Sequence, residues 1–197
     1  MNLILASAST TRAGLLRAAG IPFEIRPAQV DEDAIKDSML AEGLEARAIA
    51  DALAEAKALR VSVSRPGELV LGADQVLDFE SELVSKSPDL EAAAVLLRRL
   101  RGQQHKIVTA AVLARDGMAI WRYLTVATMT MRDFTDAYLA DYLAAEGEPV
   151  LSSVGCFHIE GRGLQLFSRI DGDYYSILGL PMIPLLTALR TQGIIAT

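Results

Sequence analysis

The chain has 197 residues, of which 51% are hydrophobic and 22% are charged, and this composition excludes a disordered, collagen-like or coiled-coil protein. Lys plus Arg number 19 against 25 Asp plus Glu, so the net charge of −6 disfavours a broad surface for nucleic acid. The single cysteine excludes an intramolecular disulfide, and two histidines leave little for a histidine-based metal site.

The low cysteine usage predicts a reduced, cytoplasmic setting. The amino terminus has neither a basic segment nor a long apolar run, which predicts a protein that is not exported. The apolar segment over 177–189 contains Gly179, Pro181 and Pro184, and it is shorter than the roughly 20 residues that a membrane span needs. The sequence therefore predicts a soluble protein without a membrane partner.

The first half of the chain is predicted to alternate strands and helices. An apolar strand at 3–6 precedes a helix from Ser9 to about residue 19, and an extended segment spans 22–30. An acidic connection around 31–33 shows weak periodicity, and the Ala-rich segment over 44–60 is predicted to be a helix.

The second half continues this alternation. The predicted elements are a strand over 68–79 that Gly72 interrupts, a return strand at 83–84, a helix from Pro88 to Leu100 capped by Ser87, strands over 106–114 and 119–131, a helix over 135–145, short strands with glycine turns over 150–173, and a helix over 181–191. Asp116-Gly117 predicts a hairpin between the two long strands. Because no repeat or linker is present, we expect one α/β domain over 1–197 with two lobes.

Two charged residues occupy positions where the pattern calls for apolar ones. Asp74 stands inside the predicted strand 68–79, and burying its carboxylate costs several kcal/mol unless a cation or hydrogen bonds offset the cost. Lys57 follows Leu53 by one helical turn on the inner face of the Ala-rich helix. The ordinary alternatives are a carboxylate that accepts backbone hydrogen bonds and a lysine whose stem covers the core while its charge reaches water.

The start of the first predicted helix has the features of an anion site. Ser7, Ser9, Thr10 and Thr11 supply hydroxyl groups, and Arg12 lies in the first turn. Free N–H groups and the helix dipole favour an anion at this place. Ser9 is equally compatible with an ordinary helix cap.

Other polar residues are less distinctive. Lys86 precedes the predicted helix at Pro88, or is simply an exposed loop lysine. The triplet Asp31-Glu32-Asp33 could coordinate Mg²⁺ or form a solvated acidic loop. Cys156 is expected to be a small buried side chain, and His158 lacks partners at metal-ligand spacing.

Taken in order, several of these segments resemble the Maf family, historically called septum formation inhibitors. The residues that carry the resemblance are Leu5-Ala6-Ser7-Ala8-Ser9-x-x-Arg12, Val30-Asp31-Glu32, Lys57, Gly72-Ala73-Asp74-Gln75-Val76, Lys86, Pro88, Leu97-Arg98-Arg99-Leu100-x-Gly102, Gly155, Glu160-Gly161-x-Gly163, Ile170-Asp171-Gly172-Asp173 and Gly179-Leu180-Pro181. They extend from residue 3 to about residue 190, so the resemblance covers nearly the whole chain. Most members have a proline after the first motif's Ser9, where this chain has Thr10.

The resemblance implies a nucleoside triphosphate pyrophosphatase with a house-cleaning role in nucleotide metabolism. Such a hydrolase uses Mg²⁺ or Mn²⁺ and cleaves between the α and β phosphates. The resemblance also implies a mixed α/β fold with an elongated central sheet flanked by helices and a cleft between two lobes. By position, Asp74 matches the general base, and the residues that match the phosphate end of the site are Ser7, Arg12, Glu32, Lys57 and Lys86. We hypothesise that Glu32 and Asp74 hold the metal.

Three positions resemble substrate selectors of the family, namely Thr11, Gln75 and Glu160. Gln75 and Glu160 match the branch that acts on 7-methyl-GTP, as does Phe157, while Thr11 matches neither that branch nor the one that cleaves dTTP and UTP. A glutamate can accept hydrogen bonds from N1–H and the amino group of guanine. The sequence thus favours a modified purine triphosphate, with dTTP or UTP as the alternative.

Functions of two other classes are alternative hypotheses. A nucleotide-sensing module that inhibits septum formation fits the older family name, whereas acyl hydrolysis by Ser7 or Ser9 lacks a histidine in suitable order. A small-molecule nucleotide is the expected partner. A homodimer is common in the family, and the sequence does not decide the oligomeric state.

Overall fold

The computed structural model describes residues 2–196, which form seven strands and seven α-helices. In chain order these are β1 (Leu3–Leu5), α1 (Thr10–Ala18), β2 (Phe23–Ile25), α2 (Glu32–Ala41), α3 (Ala46–Ser62), β3 (Leu69–Phe79), β4 (Glu82–Val84), α4 (Leu90–Leu100), β5 (Gln104–Arg115), β6 (Met118–Met131), α5 (Asp136–Glu146), β7 (Phe167–Asp171), α6 (Tyr174–Ile177) and α7 (Met182–Thr191). Two 3₁₀ turns, at Glu148–Ser152 and Arg162–Leu166, lie between α5 and β7.

The strands form one mixed sheet in the order β2-β1-β3-β5-β6-β7, and β4 pairs with the end of β3. β1 is parallel to both β2 and β3, with Leu3 opposite Phe23 on one side and Leu69 on the other. β4 and β7 run antiparallel to β3 and β6. The predicted mixed α/β fold, with a central sheet flanked by helices, is confirmed.

The chain divides into two compact units. The first contains the residues up to Gln75, Val108–Val126 and the segment from Asp173 onward, and the second contains Val76–Ile107 and Ala127–Gly172. A single domain over 1–197 stays a prediction.

In the first unit, the alternation of side chains along the strands sends core residues to both faces of the sheet. On one face Leu3, Leu5 and Leu71 pack with residues of α1 and α7, such as Leu16 and Leu185. On the other face Ile4, Ala6 and Val70 pack with Val61 of α3. Because both faces are covered, these strands are apolar at nearly every position, which made them easy to predict.

In the second unit, an aromatic group surrounds the buried His105. Its ring lies 5.9 Å from Phe157 and 5.8 Å from Phe167, and the two phenylalanine rings meet edge to face at 4.8 Å. Cys156 is fully buried, as predicted, and its thiol donates to Ser87 Oγ over 3.2 Å. Burial raises the pKa of that thiol.

Three local predictions were wrong. The acidic connection around 31–33 is the start of α2, and because none of the ten residues of α2 is buried, only weak periodicity marked the helix. Ser87 does not cap α4; Asp89 does, accepting a hydrogen bond from the amide of Ala92. β3 runs through Gly72 without interruption.

The segment over 150–173 also differs from its prediction, since two 3₁₀ turns precede its one strand, β7. Two helices follow β7, of which only α7 was predicted; α6 has four residues, too few for periodicity to show. Between residues 2 and 196, no helix combines the length and the apolar content that crossing a membrane requires.

The predicted hairpin turn at Asp116-Gly117 is confirmed, with φ of 52° and 75°.

The environment of His105 predicts a loss of stability in acid. The side chain is 2% exposed, neither ring nitrogen has a hydrogen-bond partner among residues 2–196, and desolvation lowers its pKa from 6.5 to about 4. Since the unfolded chain takes up the proton first, the free energy of unfolding contributed by His105 is complete above about pH 6.5 and falls between about pH 6.5 and about pH 4.

We therefore expect the free energy of unfolding to fall by about 2 kcal/mol more in the wild type than in His105→Phe when the pH drops from about 7 to about 5. Urea unfolding of both proteins at each pH measures the difference. Carboxylates titrate alike in the two proteins, so equal pH dependence would show that His105 is not the responsible group.

Candidate active site

The carboxyl end of β1 is the point at which the first unit reverses its direction of winding. The chain leaves β1 through α1 to reach β2 on one side, and returns through α2 and α3 to β3 on the other side. α1 and α3 contact opposite faces of the sheet. In open parallel sheets, ligands bind outside the carboxyl ends of the strands at such a switch point. Ser7, which follows β1, is 8% exposed here.

Lys57 of α3 and Asp74 of β3 form a buried ion pair near this end of the sheet. Asp74 lies three residues beyond Leu71, the last β3 partner of β1. The two side chains are 9% and 8% exposed, and Lys57 Nζ lies 2.5 Å from Asp74 Oδ1. Each charge offsets the desolvation cost of the other. The two oddly placed charges of the sequence are therefore partners.

Gly72 brings α3 close enough for this contact. A Cβ at position 72 would lie 2.2 Å from the carbonyl oxygen of Ala54 and 2.6 Å from the amide nitrogen of Ala58. Only glycine allows the helix backbone to approach β3 this closely. Ala54 and Ala58 flank Lys57 along α3, so the close approach at Gly72 sets the position of the ammonium relative to Asp74.

Glu32 adds a second carboxylate to Lys57. It is the first residue of α2, directly after Asp31, which caps the helix by accepting from the amide of Ala34. Glu32 Oε1 lies 2.9 Å from Lys57 Nζ, and its side chain is 42% exposed. The ammonium thus lies between a buried carboxylate and a half-exposed one. Of the acidic triplet, Asp31 acts as the cap and Glu32 contacts the ion pair.

Arg12 is held at the same switch point by two hydrogen bonds. Its Nε donates to the carbonyl of Gly179 over 3.0 Å, and its Nη1 donates to Ser7 Oγ over 3.2 Å. Ser9 caps α1 by accepting from the amide of Arg12, and its own amide donates to Ser7 Oγ. A guanidinium has five N–H groups, so this anchoring leaves donors for a ligand.

The Arg12 guanidinium interacts electrostatically with the two carboxylates. Burial lowers the pKa of the Arg12 guanidinium, while the negative charges of Asp74 and Glu32 raise it. The guanidinium stays charged, because arginine is not deprotonated in proteins. The structure therefore brings together two cations, Arg12 and Lys57, and two anions, Asp74 and Glu32.

Gln75 points to the opposite face of β3 from Asp74, as expected for neighbours in a strand. The two N–H groups of its Nε2 are shared among three oxygens, namely the carbonyls of Ser176 and Ile177 and the hydroxyl of Thr109, at 2.9 to 3.0 Å. Thr11 is half-buried next to Arg12 in α1. The substrate-selecting roles of Thr11 and Gln75 stay predictions.

The remaining predicted site residues belong to the second unit. Lys86 is exposed in the connection between β4 and α4, and Glu160 is exposed in the turn between the two 3₁₀ segments. Phe157 is 5% exposed and packs on Phe167. The roles of these three residues stay predictions.

The chemistry of the donor set fits a hard divalent cation. Mg²⁺ prefers one or two carboxylates and completes its octahedron with water and substrate phosphates. Asp74 and Glu32 supply two carboxylates that flank one ammonium. In the described range 2–196, no group of three or more His, Cys, Asp or Glu side chains could hold a metal, so a cation here would depend on substrate oxygens.

Sequence reasoning missed the contributions of Thr109 and Gly179. Thr109 stands in an apolar strand, where a single hydroxyl looks unremarkable beside valines and alanines. Gly179 has φ of 108°, a conformation that strongly favours glycine, and its carbonyl holds Arg12. The only signal for Gly179 was the Gly-Leu-Pro motif after the short helix α6.

Because the ion pair of Lys57 and Asp74 is buried, removing one of its charges should lower the free energy of unfolding. Lys57→Met keeps the aliphatic stem but leaves the Asp74 carboxylate buried without its ammonium, so we expect the free energy of unfolding to fall by about 3 kcal/mol. Denaturant unfolding measures this loss. Lys57→Met combined with Asp74→Asn buries no charge and should recover most of it.

The matched control for this experiment is Lys36→Met, which removes an ion pair of 3.5 Å to the exposed Asp33. It should lower the free energy of unfolding by less than about 1 kcal/mol. Equal losses in Lys57→Met and Lys36→Met would contradict the assignment of a buried pair.

Comparison with known proteins identifies the family. A family profile described as Maf-like protein matches residues 2–192. A nucleoside triphosphate pyrophosphatase of Caulobacter vibrioides is 50% identical over 189 residues, which cover 96% of this chain and 94% of that protein. One of Granulibacter bethesdensis is 50% identical over 190 residues, 96% of each chain. A 7-methyl-GTP pyrophosphatase of Brucella abortus is 44% identical over 192 residues, 98% of this chain and 96% of that one. The resemblance found in the sequence motifs is thus confirmed, and the chain belongs to the Maf family.

Proposed function

We propose that this chain is a nucleoside triphosphate pyrophosphatase, which hydrolyses a nucleoside triphosphate to the monophosphate and pyrophosphate. The observation that carries the proposal is the meeting of Asp74, Glu32, Lys57 and Arg12 at the carboxyl end of β1. Relatives of that name, 50% identical over nearly the whole chain, support it.

The charges suit a triphosphate. Arg12 offers a planar set of donors that matches phosphate oxygens, and Lys57 offers a compact point charge. Both are held in place before substrate binds, Arg12 by Gly179 and Ser7, and Lys57 by its two carboxylates. Preorganised cations stabilise charge that develops in the transition state without a further cost of reorientation.

In the proposed reaction, a water molecule attacks the α-phosphorus and Asp74 accepts its proton. The new bond joins the water oxygen to the α-phosphorus, and the bond from that phosphorus to the oxygen bridging to the β-phosphate breaks. Pyrophosphate leaves with the electron pair, and Arg12 and Lys57 stabilise its negative charge.

We propose that Asp74 and Glu32 would hold the Mg²⁺ or Mn²⁺ ion that this family implies. Such an ion supplies additional positive charge at the phosphates. Glu32 is suited to this role because it is half-exposed at the start of α2, so its carboxylate is accessible from solvent.

For the identity of the substrate's nucleobase, we propose a modified purine, in a triphosphate similar to 7-methyl-GTP. The relative from Brucella abortus that carries this name is 44% identical to the chain. Glu160 supports the proposal, because its exposed carboxylate can accept hydrogen bonds from N1–H and the amino group of a guanine. dTTP and UTP are the alternative substrates.

A nucleotide-sensing module that regulates septum formation is the alternative of a different class. Such a module needs cations for phosphate, and it has no need of a carboxylate buried beside them. Asp74 therefore favours catalysis. Nucleotide binding without release of pyrophosphate would favour the sensor.

We expect Asp74→Asn to lower kcat by about 100-fold or more, because the amide cannot accept the proton of the attacking water. The measurement is pyrophosphate release from a nucleoside triphosphate with Mg²⁺, with circular dichroism to confirm folding. Asp33→Asn, an identical change at an exposed carboxylate one residue from Glu32, is the matched control and should keep near-normal turnover. Near-normal turnover by folded Asp74→Asn would reject Asp74 as the base.

The position of cleavage has a test of its own. When hydrolysis runs in ¹⁸O-labelled water, attack at the α-phosphorus places the label in the nucleoside monophosphate, and mass spectrometry of the products detects it. Label found in pyrophosphate, or release of a nucleoside diphosphate, would reject the proposed bond.

The nucleobase preference can be tested in the same way. We expect kcat/KM for 7-methyl-GTP to exceed those for dTTP and UTP by about tenfold or more, since one well-placed hydrogen-bonded group gives discrimination of at least that order. Steady-state kinetics on the three triphosphates decides between them. In Glu160→Ala the preference should shrink, and a preference for dTTP or UTP in the wild type would support the alternative.

A further inference from the structure

We propose that Thr109 and Gln75 are positioning residues for Arg12, which they hold in place through α6 and Gly179. The inference rests on the proposed function in one respect: it takes Arg12 to be a cation that contacts the phosphates. It assigns a role to Thr109 and gives Gln75 a task other than contact with the base.

Buried polar contacts connect the sheet to α6. We call this group the α6 latch; it consists of Gln75, Thr109 and the backbone carbonyls of Ser176 and Ile177. Thr109 Oγ1 donates to the carbonyl of Ser176 over 2.8 Å. The two N–H groups of Gln75 Nε2 are shared among three oxygens: the same carbonyl at 3.0 Å, that of Ile177 at 2.9 Å, and Thr109 Oγ1 at 3.0 Å. Thr109 and Ser176 are 1% and 3% exposed, so water does not replace these bonds without opening the structure.

The α6 latch is connected to Gly179 through the carbonyl of Ser176. The carbonyl of Ser176, which accepts from both latch side chains, also accepts from the amide of Gly179 over 2.9 Å. One oxygen atom therefore connects β3, β5 and Gly179, the second residue after α6. Displacement of this carbonyl would displace the Gly179 peptide with it.

Gly179 in turn contacts Arg12. The carbonyl of Gly179 accepts from Arg12 Nε over 3.0 Å, and a Cβ on Gly179 would lie 3.0 Å from the same nitrogen. The peptide and the guanidinium are thus in direct contact. Small errors in the orientation of a catalytic cation have large effects on rate.

α6 needs such fixing because it is short. It has four residues, so helical hydrogen bonds alone give it little stability. Asp173 holds its start by accepting from the amide and the hydroxyl of Ser176, and the latch holds its end. Since Gln75 and Asp74 point to opposite faces of β3, the strand presents the proposed base on one face and supports Arg12 from the other.

The variant that tests the proposal is Thr109→Val, which keeps the shape of the side chain and removes the hydroxyl donor. We expect kcat to fall by about tenfold while KM changes by less than about threefold, and Thr109→Ser to recover most of the rate. The assay is pyrophosphate release from whichever triphosphate the wild type hydrolyses fastest.

Ser62→Ala separates positioning from a general loss of stability. Ser62 is fully buried in the same unit, and its hydroxyl also makes one hydrogen bond with the backbone, accepting from the amide of Gly117. This variant removes a comparable buried contact that does not lead to Arg12. We expect it to lower Tm about as much as Thr109→Val does and to leave kcat within about twofold of the wild type.

A double-mutant cycle with Arg12→Lys asks whether Thr109 acts through Arg12. If it does, Thr109→Val lowers kcat by less than about twofold when Arg12 is already lysine. Fully multiplicative effects of the two changes, or a wild-type kcat in folded Thr109→Val, would overturn the proposal.

One readout does not depend on catalysis. The Nε–H of Arg12, identified in NMR spectra by its absence in Arg12→Lys, should exchange with water about tenfold faster in Thr109→Val than in the wild type or in Ser62→Ala. Equal exchange in all three proteins would overturn the proposal even if the chain hydrolyses triphosphates. Conversely, if the wild type releases no pyrophosphate but Thr109→Val still exchanges faster than the wild type, the proposed function is rejected and the positioning of Arg12 by Thr109 is supported.

Discussion

The ammonium of Lys57 between Asp74 and Glu32 is the interaction on which the candidate site depends. A carboxylate buried as deeply as Asp74 is unfavourable by several kcal/mol unless a cation accompanies it, and a buried lysine has the converse need. Lys57 and Asp74 therefore stabilise each other's burial only when their charged groups are in contact. Because Glu32 also contacts this ammonium, the first turn of α2 is held at the site although α2 buries none of its residues.

The backbone makes this charge arrangement accessible. β1 ends where the chain changes its direction of winding, so α1 and α3 meet the sheet from opposite faces at one point. α1 presents Arg12 and α3 presents Lys57, while β3 continues past the end of β1 to carry Asp74. Gly72 lets α3 approach β3 at backbone distance, which a side chain at that position would prevent.

The polar residues around the charges differ in how they act. Ser7 and the carbonyl of Gly179 fix the guanidinium of Arg12, so its orientation is set by the end of β1 and by the segment after α6. Gln75 and Thr109 bind the end of that short helix from the sheet. These hydrogen bonds connect the sheet to the segment whose carbonyl accepts from Arg12.

The sequence by itself determined the strands and helices with strong periodicity, the Asp116-Gly117 hairpin and the family, because each depends on local pattern or on motif order. It also identified Asp74 and Lys57 as charges that need partners. Only the tertiary structure decided that they are each other's partners, since burial cost names the type of partner and not its position. The structure likewise decided the roles of Gly179 and Thr109, whose contacts with distant residues leave no trace in local pattern.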